Sequence, residues 1–457
     1  MTGRVLMFPW QVGAGHTGRC LHLAARLTRA GYRVSLAADP TGRMARDAGV
    51  PTLGPAPAPR RPMARNSSGY LTVAGPGDAF AAAGYYHPEV VRRQVERDRA
   101  VIAGHRPDLV VTHMDPTCVL AAAAEGVPVL SVADADFLVT GSAPWMPWLG
   151  PGARPSRFPD PLPAFRAEQR RLGLDQAEEV GDLLVGAATL IASVPELERP
   201  DPRYDDLPGL HYAGPMVWDP DREGLLARRL RDFGRGAPLR VYASVGGGQV
   251  AADLLGAGVA EAARRRGWAL LHSGGLNSGG PADGGAGQDR YAASSLIMRQ
   301  GFGGINAACA WADVVVCHGG HSTVLAALAA GKPVVVAPAM SENEANGRQL
   351  VQERGAGLVL AATSIGPDDR LLLAPRGGAP RPVAEGLARA FAPEAFAAAV
   401  EEVGADPGYR ARARELGRAL GRAEQDAEPL LARVLAGLPA ARTATARTAT
   451  AVPAGPG

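Results

Sequence analysis

The sequence predicts an α/β protein built from two doubly wound domains, each a parallel sheet with helices on both faces. Three observations predict it. The chain has 457 residues, too many for one ordinary hydrophobic core and suited to two of about 200 residues each. Short apolar runs alternate with amphipathic ones, as in sheets whose crossovers are helical. That alternation stops at a polar, Pro- and Gly-containing connection over residues 214–238 and then begins again.

The elements follow in order. RVLMF reads as a strand, with Pro9–Val12 as the start of a loop, then TGRCLHLAARLTRAG as a helix and YRVSLAAD as a strand. PEVVRRQVERDRAVIAGH is helical in period, DLVVTHMD a strand, TCVLAAAAEG a helix and VPVLSVAD a strand. FLVTGSAPWMPWLGPGARPSRFPDPLP, rich in Pro and Trp, breaks the pattern and reads as a loop able to wall a substrate. After the connection come LRVYASVG, a helix over DLLGAGVAEAARRRG, the strand WALLHSGG, the mobile Gly-rich loop GGLNSGGPADGGAGQDR, ADVVVCHGG, STVLAALAAG and PVVVAPAM. Helical patterns dominate from about residue 384, and the end repeats ARTAT in tandem. These readings give an N-terminal domain over 1–224, a C-terminal domain over 225–439 and a disordered tail over 440–457.

Composition narrows the function. Forty-eight basic residues against 45 acidic ones give a net charge of +3, no electrostatic case for nucleic acid or an anionic membrane. Lys332 is the one lysine of the chain; it stands before a Pro, which argues against a Walker-type or Schiff-base role. Cys20, Cys118, Cys309 and Cys317 lack C-x-x-C spacing and read as small buried residues of a reduced, cytoplasmic protein. Neither a leader segment nor a long uncharged apolar run is seen.

VVVCHGGHSTVLAALAAGKPVVV carries the most chemistry. A strand ends at Cys317, Gly319 and Gly320 allow a ligand to approach the backbone, and Ser322 and Thr323 open a helix ending at Gly331. Amides of a helix's first turn, with its dipole, hold phosphates, and His318 can add a proton or charge. The plain alternative is a Ser N-cap with a Gly-rich entry.

CHGGHSTVLAALAAGKPVVVAPAMSENEANG resembles the nucleotide-sugar signature of family 1 glycosyltransferases, especially bacterial natural-product (antibiotic) enzymes of the GT-B fold, whose two Rossmann-like domains face a central cleft. The resemblance extends over most of the chain. It implies that His318, Gly319, Gly320, His321 (through its backbone), Ser322 and Thr323 hold the diphosphate, that SVGGG supplies a phosphate loop with Ser244, Gly246 and Gly247, and that Phe302 lies against the base. Glu342 and Asn343 stand where the family has Asp-Gln for sugar hydroxyls, while Asn346 matches its final Asn. Relatives using UDP-sugars often carry Glu eight positions after the signature His; here it is Ala326, which favours a deoxyribose and so a dTDP-sugar.

The loop GAGHTG matches the dinucleotide pattern G-x-G-x-x-G, with Asp39 some twenty positions on, but in that fold the first Gly follows the strand directly. Here a loop intervenes, and Asp39 reads as a turn residue. By the resemblance, His16 is the catalytic base of an inverting transfer; imidazole suits that task near neutral pH. Asp115 matches the family's carboxylate partner, the alternative being an N-cap before Pro116. His113 is a competing base, less favoured because strand alternation points it inward, and His22 reads as packing. DADF at 134–137 comes closest to a metal-binding D-x-D and reads as a strand end, so neither metal nor other cofactor is expected. Tyr85, Tyr86, Trp145 and Trp148 suggest an acceptor pocket or, equally, a local core. The partners implied are a nucleotide-sugar and a small-molecule acceptor, with no nucleic acid and no membrane; a homodimer is compatible with the sequence. An epimerase of related fold, a non-catalytic partner of the same fold and an NAD oxidoreductase are the competing readings.

Overall fold

A computed structural model describes residues 3–11, 13–39, 43–54, 73–141, 145, 158–221, 223–246, 251–274, 297–300, 303–338, 340–361 and 390–440. The first sheet holds β1 (Arg4–Pro9), β2 (Arg33–Leu36), β3 (Leu109–His113), β4 (Val129–Ala133), β5 (Ala188–Ile191) and β6 (Leu210–Tyr212). Their order is β2-β1-β3-β4-β5-β6, parallel throughout. The second holds β7 (Arg240–Ser244), β8 (Ala269–Ser273), β9 (Ile297–Gln300), β10 (Val314–Cys317), β11 (Val334–Val336) and β12 (Gly357–Val359), in the order β12-β11-β10-β7-β8-β9 and again all parallel.

Apolar strands fit because both faces are covered. Alternate residues of β1 part ways: Leu6 and Phe8 join one core cluster, Val5 and Met7 another. β10 does the same, with Val314 and Val316 on one side and Val315 and Cys317 on the other. The two-residue side-chain period produces this division. Pro9, expected in the loop, is the last residue of β1, in register with His113; a Pro is tolerated at a strand terminus.

The sheets divide the chain between Tyr212 and Arg240, but the last helix belongs to both halves. It runs from Pro407 to Gly437. Ala413, Leu416 and Leu420 pack into the second domain's core, while Leu431 and Val434 join the first domain's cluster with Leu23, Leu27 and Met216. Each such buried aliphatic contributes about 1.5–3 kcal/mol. Arg26 donates to Glu424 at 2.5 Å and Arg29 to Glu428 at 2.6 Å, tying the helix to Ala14–Arg29. Among the described residues, no helix is long and apolar enough to cross a membrane. The tail from residue 441 and most of the Gly-rich loop lie outside the described residues.

Candidate active site

In each sheet the strand order reverses direction once, between β1 and β3 and between β7 and β10. Crevices outside the carboxyl ends of strands at such points receive ligands in open α/β sheets. Both crevices open into one cleft of about 660 Å³, lined by His16, Arg19, His113 and Asp134 from the first domain and Ser244, Gly246, His318, His321, Ser322, Thr323, Glu342 and Asn343 from the second.

On the second domain's wall, a helix begins at His321, directly after Gly320. Gly320 is its N-cap and no side chain caps it, so the Ser-cap alternative does not describe this turn. The first-turn residues His321, Ser322 and Thr323 line the cleft, and the N-terminal end of a helix is suited to an anion. Gly319 has φ +92, and a Cβ there would stand 2.4 Å from the carbonyl oxygen of Asn343. The His318 ring lies between two glycines: a Cβ on Gly246 would meet it at 2.8 Å and one on Gly320 at 2.6 Å. Its Nδ1 is 3.4 Å from the carbonyl of Ser244. Burial lowers the His318 pKa, so the ring is a neutral hydrogen-bonding group at pH 7.

On the first domain's wall, Gly13 is the extended N-cap of the helix Ala14–Arg29, whose first turn carries His16. His16 Nδ1 is 2.7 Å from His113 Nδ1, and His113 Nε2 is 2.7 Å from Arg19 Nη1. Arg19 is buried, 3% exposed, and also pairs with Asp134. Its Nη2 lies 2.5 Å from His321 Nδ1, and His321 Nε2 lies 2.5 Å from Glu198 Oε1. A chain of side chains thus joins the candidate base to the first turn of the helix His321–Ala329, across the domain boundary.

Proton positions follow from Arg19. A guanidinium only donates, so His113 Nε2 accepts and the neutral ring carries its proton on Nδ1, which donates to His16 Nδ1. His16 then keeps its own proton on Nε2. Burial holds His16 at about 4, with Asp134 raising and Arg19 lowering it, and burial with Arg19 drives His113 well below its ordinary value. Both rings are therefore neutral at pH 7.

Beside them, Glu342 receives the amides of Asn343 and Asn346, each at 2.9 Å, and Asn346 also donates to the carbonyl of Gly319 at 3.1 Å. Burial, then the charge of Asp134, raises Glu342 to about 7. Among the described residues, no group of three or more His, Cys, Asp or Glu side chains is placed to hold a metal ion.

The structure brings together most of the residues singled out in the sequence, and it corrects several. Asp115 is not the partner of His16. It is the N-cap of the helix Pro116–Glu125, accepting from the amide and hydroxyl of Thr117 at 3.2 and 2.8 Å. His113, at the end of β3, takes that place: it is buried, as alternation implied, and still reaches His16. Tyr85 and Trp145, expected at an acceptor pocket, are each 1% exposed in the first domain's core, Tyr85 against Phe80 and Phe165 and Trp145 against Phe137. Trp145 Nε1 donates to the carbonyl of Asp136 at 2.9 Å. Tyr86 packs against His87 with the rings tilted by 41° and is not among the cleft's lining residues. Trp148, Gly247 and Phe302 lie outside the described residues. Asp39, the acid of the dinucleotide pattern, is buried and accepts the amide of Ala45 at 2.9 Å. His22 bonds to the carbonyl of Val217 at 3.0 Å.

Sequence reading missed Arg19, Asp134, Glu198 and the side chain of His321. Two signals were present. Arg19 lies three residues after His16, hence on the same helix face, and Asp134 follows β4 directly, where ligand-facing residues of such sheets stand. Glu198 carries no local signal.

Residues 295–369 match the model of the glycosyltransferase family 28 C-terminal domain. The chain is 26% identical over 420 residues to a PGL/p-HBAD biosynthesis glycosyltransferase of Mycobacterium tuberculosis, covering 86% of this chain and 89% of that one. It is 46% identical over 87 residues to the elloramycin glycosyltransferase of Streptomyces olivaceus, covering 19% and 22% of the two chains. Its fold superposes with a TM-score of 0.60 on the glycosyltransferase SsfS6 of Streptomyces sp. SF2575, solved with thymidine diphosphate, at 18% identity and 94% and 99% coverage. The matched model is that of family 28, where the signature resembles family 1.

Proposed function

The chain is a glycosyltransferase of the GT-B fold, and we propose that it moves a sugar from a dTDP-sugar to a hydroxyl of a small natural product, with inversion and without a metal. The observation that supports this most is the cleft itself, which sets His16 of one domain opposite the His318–Thr323 turn of the other. The donor's diphosphate sits on that turn, against the first amides of the helix, with the His318 ring held between its glycines. The preorganised amides and the helix dipole stabilise the charge that develops on the leaving diphosphate. Glu342, Asn343 and Asn346 hold the sugar.

The acceptor hydroxyl enters from the side of His16 and attacks the anomeric carbon opposite the departing oxygen. Its proton goes to Nε2 of His16, the ring nitrogen left over once Nδ1 has bonded to His113. That transfer needs the base tautomer of the pair, with the proton of His16 on Nδ1 and that of His113 on Nε2. The resulting imidazolium is stabilised by Asp134, the carboxylate that already raises the His16 pKa. A thymidine base agrees with Ala326 in the position where UDP-sugar enzymes carry a ribose-binding Glu, and with the thymidine diphosphate in SsfS6.

Calorimetric titration with dTDP and UDP in EDTA, on the wild type and His16→Ala, tests the reading. We expect micromolar dTDP binding in both proteins, weaker UDP binding, and transfer reduced in the variant by about 10²–10⁴-fold. Transfer within a few-fold of wild type would remove His16 as base, and equal dTDP and UDP affinities would remove the base preference.

A further inference from the structure

Resting on the donor reading above, we infer that the transferred sugar carries an amine, which Glu342 and Asn343 receive. The wall these residues form has hydrogen-bond acceptors to offer and few donors. Both N–H groups of the Asn346 amide are spent, on Glu342 and on the carbonyl of Gly319, and one of the two on Asn343 is spent on Glu342. What remains is one N–H of Asn343 against two kinds of acceptor, the Asn343 oxygen, which is buried without a partner among the described residues, and the unused lone pairs of Glu342. Asn343 is 3% exposed and lines the cleft, so this orphaned oxygen belongs to the ligand's side. Leaving such an atom unpaired is unfavourable, and a ligand donor would relieve it.

The charges around it point the same way. Four carboxyl groups feel one another's charge here: Glu342 on the helix Ser341–Asn346 and Asp134 after β4, which line the cleft, with Asp136 and Glu198 behind them. The cations facing them are Arg19, already paired with Asp134, and His321, already bonded to Glu198. Even with His321 charged, carboxyls exceed cations by four to two. Neither oxygen of Asp136 has a partner among the described residues. Burial and mutual repulsion accordingly raise Asp136 and Glu342 above the ordinary carboxylate range. A diphosphate arriving on the adjacent turn adds more negative charge.

An ammonium answers both features, and a hydroxyl answers one. It brings three N–H donors, no acceptor and a positive charge, so it can bond Asn343 Oδ1 and Glu342 together and bring Glu342 to its ionised form. A sugar hydroxyl brings one donor and leaves the carboxyl excess in place.

The test compares two dTDP-6-deoxyhexoses that differ in one group, amino against hydroxyl, at C3 and at C4, with dTDP alone as reference. Affinity is measured at pH 8 for the wild type and Glu342→Gln. We expect one amino sugar to bind about tenfold or more tightly than its hydroxyl counterpart, and Glu342→Gln to bring the two within about twofold while dTDP binds as before. Wild-type affinities within twofold for both pairs, with dTDP bound, would overturn the amine inference and leave the donor reading standing. No binding of dTDP would overturn both.

Discussion

With His16 as the base proposed above, replacing His113 by Asp should make the enzyme faster, because Arg19, a donor only, favours the tautomer of the His16–His113 pair that cannot accept the acceptor's proton. Arg19 Nη1 stands 2.7 Å from His113 Nε2 and can only donate. The proton of His113 is thereby kept on Nδ1, and that of His16 on Nε2, the atom that must receive the acceptor's proton. Reaching the base tautomer sets His113 Nε2–H against an Arg19 N–H and forfeits a charge-assisted bond worth about 1.5–3 kcal/mol. At about 1.4 kcal/mol per factor of ten, base-competent His16 is scarcer by about 10- to 150-fold. An Asp carboxylate at 113 puts an oxygen near the present position of Nδ1, accepts only, and draws the His16 proton onto Nδ1. Arg19 remains close enough to offset the added charge. The assay is steady-state release of the nucleoside diphosphate, together with ¹⁵N chemical shifts of the His16 ring. We expect kcat/KM to rise by about tenfold or more, and the His16 proton to move from Nε2 to Nδ1. A wild-type His16 already protonated on Nδ1, or a folded variant no faster than wild type, would refute the reasoning.

Two further outcomes follow from the same geometry. Burial keeps His16 and His22 at about 4 in the folded protein, against about 6.5 when unfolded. Between those values the unfolded chain binds more protons, so this contribution is complete above pH 6.5 and shrinks as pH falls towards 4; a Tm unchanged from pH 7 to pH 4.5 would contradict it. Gly319→Ala forces a Cβ onto the Asn343 carbonyl at φ +92. Strain of about 1–3 kcal/mol should lower the Tm and weaken dTDP binding, whereas a variant indistinguishable from wild type would show that this turn yields freely.

What the sequence disclosed and what it hid have one physical division. The two sheets were legible because strands covered on both faces must be apolar, so Val314–Cys317 or Leu109–His113 announce themselves by residue type alone. The turn His318–Thr323 was legible for a related reason: only glycines accept the backbone of Gly319 and the ring contact at Gly320, and glycines beside a histidine are visible in a string of letters. The network behind the base was not, because its members come from separate elements. Arg19, His113, Asp134, Glu198 and His321 are distributed over some 300 positions, and each is ordinary where it stands. The Asp115 error has the same origin. Asp115 and His113 are two residues apart at the end of one strand, and sequence cannot say which of them turns towards His16 and which caps the next helix. Backbone geometry decides it: Asp115 has the extended conformation of an N-cap, φ −104 and ψ 97, ahead of Pro116, and its carboxylate is drawn to the amide of Thr117. Once that carboxylate is engaged, the partner of His16 has to be His113, an imidazole that can both accept and donate. Its choice between those roles passes to Arg19, and through Arg19 to His321 at the start of the helix His321–Ala329. The base is thereby connected to the donor's half of the cleft by hydrogen bonds that a carboxylate partner would not need.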